Sequence, residues 1–538
     1  MIFAKNICHE MQIFNFVAEI YNRKLPRNLD LLFRGKKYIQ NIATNNIIRI
    51  FVAKSELCNM VKVIGREQQI SELDRIFNSG KSEFVVVYGR RRIGKTFLVR
   101  EHFKDKFIFY HTALSPIELE QAKLSNSQLV AFCSSLRNYG AEFDIEPRDW
   151  FEAFDELRKL VERQPSNKRI VIFIDELPWL DTKGSGFITA FEHFWNGFAD
   201  GCHNLMLIVC GSATTWISDK LINNYGGLYN RVTRQIFLES FTLKECEEYY
   251  QSAGLSFSRY DQALFYMAHG GVPYYMSYLQ NGLSVAQNLD NMFFSKKAAL
   301  KDEFNRLCTS QFLEKEKYKL VLKLLSTKRM GFTRREIAQK TKLSFGGGLS
   351  QILKALEVSG FVMPYTFFEG SKREVYYKLT DLFTLFWMHF VEGRTTQKPD
   401  YFLTMLQSPK MKTWQGFAFE ELCFAHRRQI TNALGISGID TNFLPWRFAG
   451  DRDTDGAQID MLIDRADNVV NVCEIKFCAD EFAISKEYDA NLRHKIQTFI
   501  EKSKSKKTAN MVLITTFGLK QGLYSSRFQR VITLNDLF

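Results

Sequence analysis

Residues 89–96 of the chain read Gly89-Arg90-Arg91-Arg92-Ile93-Gly94-Lys95-Thr96. They fill every fixed position of the pattern Gly-x(4)-Gly-Lys-Ser/Thr, in which glycines let backbone N–H groups wrap around the phosphates of a nucleotide. An apolar run over 84–88 precedes them and an amphipathic segment over 96–102 follows, so a strand, a phosphate-binding loop and a helix are predicted. We expect Lys95 to reach the β- and γ-phosphates of ATP and Thr96 to offer its hydroxyl to Mg²⁺.

A second apolar run, over 171–174, ends in two carboxylates, Asp175 and Glu176. Beside a phosphate-binding loop, Asp175 is expected to hold Mg²⁺ and its water, and Glu176 to polarise the attacking water as a general base. The alternative is a buried strand that ends in a solvated acidic turn. We prefer the catalytic interpretation because the loop and the acidic pair occur in one chain.

A third apolar run, over 205–210, leads into Gly211-Ser212. Ser212 is a candidate for orienting the attacking water or contacting the γ-phosphate, although a serine at a strand end is commonly just a turn former. Arg231 and Arg234 follow, and either is a candidate arginine finger, although each taken singly fits a solvated surface arginine. Strands and helices alternate over 61–240, which predicts an α/β domain with a parallel sheet.

Composition and charge limit the classes of function. The 538 residues are 46% apolar and 24% charged, as in globular proteins, and their number suggests about two to four domains. A net charge of +13 favours an anionic partner such as nucleic acid without requiring one. No stretch approaches the ~18 apolar residues of a membrane span, and no secretory signal is recognisable. The ten cysteines lack zinc or redox spacing, so we expect free thiols and a cytoplasmic location.

Several segments together resemble the archaeal-type P-loop ATPases, which are related to the AAA+ and STAND proteins. The segments are Gly65-Arg66-Glu67, the loop from Gly89 to Thr96, Asp175-Glu176 and His269-Gly270-Gly271-Val272-Pro273-Tyr274. In this family the segment similar to 63–65 lies near the adenine, and the Gly-Gly-x-Pro segment belongs to a helical lid that closes over the nucleotide. The resemblance covers about 60–538 and implies that Pro273 contributes to the nucleotide site.

Residues 315–380 are predicted to form three helices and a two-stranded wing that turns at Gly370-Ser371. Such a winged helix commonly places its third helix, here 349–358, in the major groove of DNA. That helix carries the basic residue Lys354 but also the acidic residue Glu357, so it offers little positive charge for binding DNA phosphates. In the STAND-type ATPases that the chain resembles, a winged helix often packs on the nucleotide-binding domain instead, so this structural role ranks slightly ahead of DNA reading.

The C-terminal part contains a carboxylate pattern that is similar to the PD-(D/E)XK nuclease core. Asp460 lies in a short apolar strand, thirteen residues separate it from Glu474, and Lys476 follows two positions later. Carboxylates on adjacent strands can share Mg²⁺, and Lys476 shares a strand face with Glu474 because side chains repeat every two residues. Glu420 on a preceding helix matches the helix glutamate often present in that fold. Two alternatives stay open: a solvated hairpin, and a degenerate nuclease fold kept as a binding module.

The chain is therefore expected to contain five regions. They are an N-terminal extension over 1–59, a P-loop ATPase core over 60–240, a helical lid over 241–310, a winged helix over 311–395 and a restriction-endonuclease-like α/β domain over 405–538. Met60 is a second candidate initiator, which leaves open whether 1–59 belong to the native chain.

The predicted function is an AAA+/STAND-type ATPase that hydrolyses ATP with Mg²⁺ and couples its nucleotide state to DNA binding or Mg²⁺-dependent DNA cleavage. The competing hypothesis is a regulatory or signalling switch whose C-terminal domain binds a partner or nucleic acid without cutting it. DNA and further copies of the chain are candidate partners, whereas a membrane is not expected. The candidate nuclease residues are Glu420, Asp460, Glu474 and Lys476, and the candidate metal ligands are Thr96, Asp175, Asp460 and Glu474.

Overall fold

The computed structural model of the protein describes residues 63–122, 127–223, 226–312, 314–368, 374–394, 400–452 and 454–538. The chain divides into two units, of which the second is Val63–Phe538. The extension predicted over 1–59 lies outside the described residues. The account below concerns the second unit.

The first part of this unit is a five-stranded sheet in the order β2-β3-β4-β1-β5, and every neighbouring pair is parallel. Its strands are β1 (Glu83–Tyr88), β2 (Phe107–Thr112), β3 (Ile170–Asp175), β4 (Leu205–Gly211) and β5 (Arg234–Phe237). The helices among them are α1 (Glu67–Phe77), α2 (Lys95–His102), α3 (Pro116–Ala122), α4 (Ser127–Asn138), α5 (Trp150–Glu162), α6 (Phe187–Gly197) and α7 (Thr214–Ile217). The predicted α/β fold with a parallel sheet is confirmed.

The strand sequences explain why this sheet forms. Every residue of β3 and β4 is buried, as expected for parallel strands that are covered on both faces. Along β1 the side chains alternate between the two faces: Phe84 and Val86 pack in one core, and Val85 and Val87 in the other. Because β1, β4 and β3 are neighbours, their carboxyl ends meet at one edge of the sheet.

Helices follow the sheet. They are α8 (Leu243–Ser252), α9 (Arg259–His269), α10 (Pro273–Met276), α11 (Val285–Leu289) and α12 (Glu303–Gln311). We call residues 241–312 the helical segment. It lies where the lid is predicted, and its role as a lid stays a prediction.

The next part, residues 314–379, is called the three-helix segment. It contains α13 (Lys315–Leu325), β6 (Phe332–Thr333), α14 (Arg334–Thr341), α15 (Gly347–Val358), β7 (Val362–Tyr365) and β8 (Tyr376–Leu379), with the antiparallel sheet order β6-β8-β7. Thr333 and Glu336 form the capping box at the start of α14. The wing turn predicted at Gly370-Ser371 lies outside the described residues, and the winged-helix assignment stays a prediction. Two short helices follow, α16 (Leu382–Phe386) and α17 (Tyr401–Met405).

The C-terminal part is an α/β domain with a mixed sheet in the order β13-β12-β11-β10-β9. Its elements are α18 (Pro409–Ala425), α19 (Arg427–Leu434), β9 (Thr441–Phe448), β10 (Ala457–Arg465), β11 (Val469–Lys476), α20 (Lys486–Ser503), β12 (Thr508–Thr515) and β13 (Arg530–Thr533). Strands β9, β10 and β11 pair antiparallel, and β11, β12 and β13 pair parallel. The pairing of β10 with β9 shifts between Ile459 and Leu462, so Asp460 lies at an irregularity of the strand.

One hydrophobic core joins the helical segment to the C-terminal α/β domain, with members from Phe241 to Leu537. The ring of Tyr260 in α9 stacks on Phe477, with centroids 4.8 Å apart. His426 accepts a hydrogen bond at Nε2 from the N–H of Leu243, at 2.9 Å, which satisfies a backbone donor at the start of α8. We therefore call residues 241–538 the C-terminal body, whereas the parallel sheet has cores of its own.

The C-terminal body contains two fully buried histidines, His269 and His426, and burial lowers their pKa to about 3 and about 4. Both are therefore neutral in the folded protein, whereas an unfolded histidine titrates near pH 6.5. Their contribution to stability is complete above about pH 6.5 and is lost as the pH falls from there towards 4, because only the unfolded chain takes up the protons.

We predict that each histidine makes the free energy of unfolding fall by about 1.4 kcal/mol per pH unit in this window. His426→Gln removes one of the two titrations, so the melting temperature of this variant should depend less steeply on pH between 6.5 and 4.5 than that of the natural chain. His203→Gln changes an exposed histidine and serves as the control. Equal slopes for all three proteins would contradict the prediction.

Candidate nucleotide site and C-terminal carboxylate site

The loop between β1 and α2 has the backbone geometry that phosphate binding requires. Gly89 has φ +143°, and a Cβ there would collide with the carbonyl oxygen of Leu238. Gly94, at the N-cap of α2, has φ +90°. Arg92 also adopts a left-handed conformation, with φ +75°, which is unusual for a residue with a side chain. The loop therefore bends tightly around a central space. The N-terminus of α2 points into that space, where an anion is favoured.

Lys95 is buried at the start of α2, and its exposed fraction is 6%. Its Nζ donates to the carbonyl oxygens of Gly89 and Arg90, at 3.1 and 2.9 Å. The ammonium group thus links the end of the loop to its beginning. Because an ammonium group has three N–H donors, it can also donate to a phosphate oxygen that enters the loop.

Thr96 and Asp175 lie side by side at the carboxyl edge of the sheet. The Thr96 hydroxyl donates to Asp175 Oδ2 at 2.9 Å. Burial is the largest effect that raises the pKa of Asp175 to about 6, and the negative charge of Glu176 adds to it. The hydrogen bond from Thr96 and the positive charge of Lys95 act to lower the same pKa. The spacing of the two oxygens is close to the edge of about 3.0 Å in an Mg²⁺ octahedron with Mg–O bonds of about 2.1 Å. These residues therefore fit Mg²⁺.

Glu176 follows β3 in a left-handed conformation, with φ +50°, and its carboxylate is tied to Ser212 at the end of β4. The Ser212 N–H donates to Oε2 at 3.0 Å, and its hydroxyl lies 3.1 and 3.0 Å from Oε1 and Oε2. Ser212 is fully buried. In this structure the Ser212 hydroxyl orients the carboxylate, so any direct contact of Ser212 with water or γ-phosphate stays a prediction.

The sequence gives no signal of what the loop arginines contact. Arg90 forms a buried ion pair with Asp381, directly before α16, and lies against the rings of Phe361 and Phe383. The loop is thereby anchored to the end of the three-helix segment.

Arg92 and Arg91 contact other parts of the chain. Arg92 Nε pairs with Glu303 Oε1 at 2.6 Å, and its guanidinium lies 4.0 Å from the ring centre of Tyr274. Arg91 lies over the ring of Trp179, at 5.1 Å. Burial lowers the pKa of Arg91, and the nearby Glu176 charge opposes this effect. The loop is thus in contact with the helical segment through Arg92.

Pro273 is the first residue of α10, and the N–H of Tyr274 lies 3.4 Å from the carbonyl oxygen of Arg92. The Gly-Gly-x-Pro segment therefore reaches the loop, although contact of Pro273 with nucleotide stays a prediction. The two candidate arginine fingers are not at the loop. Arg231 pairs with Asp200 at 3.1 Å, and Arg234 begins β5 opposite Val85.

Comparisons with known proteins agree with this geometry. Residues 64–279 match the family described as "ATPase domain predominantly from Archaea". The chain carries an archaeal-type ATPase domain. An uncharacterized protein of Methanocaldococcus jannaschii is 25% identical over 333 residues, which are 61% of this chain and 68% of that protein. An uncharacterized ATP-binding protein of the same organism is 35% identical over 49 residues, which are 9% of this chain and 83% of that protein.

A solved structure, the Walker-type ATPase paby2304 of Pyrococcus abyssi, aligns with 61% of this chain and 96% of its own, at 17% identity and a TM-score of 0.41. No helix in the described residues is long and apolar enough to cross a membrane. The eight cysteines in the same ranges are free thiols, as expected.

Outside the ATPase domain, the candidate nuclease residues divide into two neighbouring clusters. In the first, Arg329 of the three-helix segment pairs with both Glu420 of α18 and Asp460 of β10. The Arg329 Nη2 to Asp460 Oδ1 distance is 2.7 Å. Asp460 Oδ2 also accepts the N–H of Ile475 at 3.1 Å, which brings this carboxylate next to β11.

The second cluster surrounds Glu474 of β11. Lys476 Nζ lies 2.7 Å from Oε1, Lys495 Nζ lies 2.8 Å from Oε2, and the Tyr488 hydroxyl donates to Oε1. Burial acts to raise the pKa of Glu474, but the Lys476 and Lys495 ammonium groups outweigh it and hold this pKa below its usual value. The sequence predicted Lys476 here, whereas Lys495 and Tyr488 come from α20 and had no motif to mark them.

These clusters supply oxygen donors of the kind that Mg²⁺ takes, namely the carboxylates of Glu420, Asp460 and Glu474. Over the described ranges, no group of three or more His, Cys, Asp or Glu side chains lies close enough to hold a metal ion. Glu420 and Asp460 converge on one guanidinium nitrogen, whereas Glu474 is directed towards α20. The pair Glu420 and Asp460 therefore fits a cation better than the predicted pair Asp460 and Glu474 does.

We predict that Ser212→Ala lowers the rate of ATP hydrolysis by about 10- to 100-fold, because the Glu176 carboxylate loses a charge-assisted hydrogen bond of about 1.5–3 kcal/mol. The Kd for a fluorescent ATP analogue should stay within about threefold, since the Ser212 hydroxyl donates to Glu176 and not to a residue of the loop. Ser252→Ala, at the exposed end of α8, is the control for both measurements. A Ser212→Ala chain that hydrolyses ATP at the natural rate would show that the contact does not orient the base.

Proposed function

We propose that the ATPase domain uses Mg²⁺ and the side chains of Lys95, Thr96, Asp175 and Glu176 to hydrolyse ATP, and that the reaction changes how the C-terminal body is held against the parallel sheet. We further propose that the C-terminal α/β domain acts on DNA with a divalent cation. Two neighbouring side-chain contacts support the proposal for ATP hydrolysis: Ser212 contacts Glu176, and Thr96 contacts Asp175.

The proposed mechanism starts with binding. The N–H groups of the curled loop and the Lys95 ammonium donate to the phosphates, and the N-terminus of α2 favours their negative charge. Thr96 and Asp175 are the oxygen ligands for Mg²⁺, which, when bound, neutralises phosphate charge. Ser212 holds the Glu176 carboxylate at the strand edge, where it accepts a proton from the attacking water.

The coupling to the C-terminal body is supported by the ion pairs of the loop. Arg90 and Arg92 extend from the phosphate-binding loop to Asp381 and Glu303, both in the C-terminal body. A loop that changes shape when phosphate enters or leaves it must also move these arginines. The free energy of nucleotide binding can in this way reach residues that touch no nucleotide.

DNA cleavage is supported by the chemistry of the carboxylate clusters. Glu420 and Asp460 would hold the divalent cation, which when bound would polarise a phosphodiester, and Lys476 and Lys495 carry positive charge in the neighbouring cluster around Glu474. A second candidate function is favoured by a different observation: Glu474 is neutralised by two lysines, and no three-acid group is present in the described ranges. In that case the domain binds nucleic acid or a protein partner without cutting it.

We predict that Glu176→Gln lowers the rate of ATP hydrolysis by about 10²- to 10⁴-fold, because the amide cannot accept the proton of the attacking water. Binding of ATP should persist in this variant and should be lost in Lys95→Ala. Glu162→Gln, a surface change at the end of α5, is the control. Phosphate release is measured with and without DNA, and undiminished hydrolysis in both Glu176→Gln and Lys95→Ala would exclude the proposed site.

We predict that the chain cleaves DNA in the presence of Mn²⁺ or Mg²⁺ and that Asp460→Asn lowers cleavage by about 100-fold or more, because the cation loses a ligand. Asp467→Asn, in the turn after β10, is the control. Linear and supercoiled DNA are incubated with each protein, and the products are separated by electrophoresis. Cleavage that survives Asp460→Asn would have another source, and binding without cleavage would favour the second candidate function.

A further inference from the structure

Arg329 belongs to the three-helix segment but reaches into the C-terminal α/β domain. It lies in the turn between α13 and β6, and its side chain is 23% exposed. The same nitrogen, Nη2, pairs with Glu420 Oε2 and with Asp460 Oδ1. The guanidinium also lies 5.2 Å from the ring centre of Phe417, on the same helix as Glu420.

The two carboxylates are buried: the side chains of Glu420 and Asp460 are each 8% exposed. Two buried carboxylates lie side by side only when a proton or a cation offsets their charge, and here the Arg329 guanidinium supplies the cation. Since both carboxylates contact one nitrogen, their oxygens converge on one point. A cation bound by these oxygens would occupy this same point.

The turn that presents Arg329 is itself fixed. Gly331 has φ +65°, and a Cβ there would collide with the carbonyl oxygen of Tyr377 in β8. The Tyr365 hydroxyl donates to the carbonyl oxygen of Met330 at 2.6 Å. The guanidinium is therefore held among the carboxylates by the three-helix segment, and it leaves only when its side chain turns away or the segment moves.

We propose that Arg329 is a built-in cation that closes a divalent-metal site formed by Glu420 and Asp460. Mg²⁺ or Mn²⁺ and the guanidinium compete for the same oxygens, so the site accepts metal only when Arg329 is withdrawn. This inference concerns the regulation of the site that the proposed DNA-cleaving function uses, and it rests on that function.

Metal binding tests this inference directly, without any reaction. Mn²⁺ is titrated into the full-length chain in the absence of nucleotide, and bound Mn²⁺ is followed by calorimetry and by the loss of the free-ion electron paramagnetic resonance signal. All proteins carry Asp175→Asn, so that the ATPase domain does not contribute. Arg329→Gln should bind one Mn²⁺ at least about tenfold more tightly than the parent chain, because the competing charge is gone.

Two further variants make this test specific. Lys328→Gln removes a positive charge from the same turn, but Lys328 pairs with Glu336, so Mn²⁺ affinity should equal that of the parent. Arg329→Gln combined with Asp460→Asn should lose the gained site. The proposal would be overturned by a similar gain in Mn²⁺ affinity in Lys328→Gln. It would also be overturned if the gain caused by Arg329→Gln persisted after Asp460→Asn was added.

Arg329→Lys covers the case in which Arg329→Gln does not fold. A lysine keeps the charge, but its Nζ ends one bond short of the position of Arg329 Nη2, so Mn²⁺ affinity should rise, by less than in the glutamine variant. Unchanged affinity in a folded Arg329 variant overturns the proposal. Tighter Mn²⁺ binding without DNA cleavage supports it and contradicts the DNA-cleaving function. DNA cleavage that depends on Asp460 but not on Arg329 supports the DNA-cleaving function and contradicts the proposal for Arg329.

Discussion

The parallel pairing of β1, β4 and β3 is the constraint on which the nucleotide site depends. Three segments far apart in sequence contribute to that site, and each begins where one of these strands ends. Parallel neighbours must end at the same edge of the sheet, so Gly89, Asp175 and Ser212 are brought together by backbone pairing alone. The buried, branched side chains of the strands fix the register, and the register in turn fixes the contacts of Thr96 with Asp175 and of Ser212 with Glu176.

The loop arginines add a second constraint, because they extend the site beyond the sheet. In a loop of this type the backbone binds the phosphates, so the side chains at the variable positions are free for other contacts. Here Arg90 and Arg92 use that freedom to pair with acids of the C-terminal body. Arg92 does so from a left-handed conformation that would suit glycine better, and its ion pair with Glu303 offsets part of that strain.

Much of the ATPase domain could be predicted from the sequence because its signals are local. The pattern from Gly89 to Thr96 and the acidic pair after β3 each depend on a few neighbouring residues, and so does the capping box at Thr333 in the three-helix segment. The contact of Ser212 with Glu176 could also be predicted from the sequence, since the two residues follow adjacent buried strands. The pairs Arg90 with Asp381 and Arg329 with Asp460 could not, because their members lie 291 and 131 positions apart in the sequence and no pattern marks either pair.

The continuous core of the C-terminal body has a consequence for the rate of nucleotide exchange. A surface loop that packs alone moves in nanoseconds to microseconds. The helical segment does not pack alone, since Tyr260 stacks on Phe477 and His426 caps the start of α8. Any movement of this segment away from the loop carries the C-terminal α/β domain with it. Such motions take microseconds to milliseconds, so under the predicted lid role the release of product would follow this slower movement of a large body.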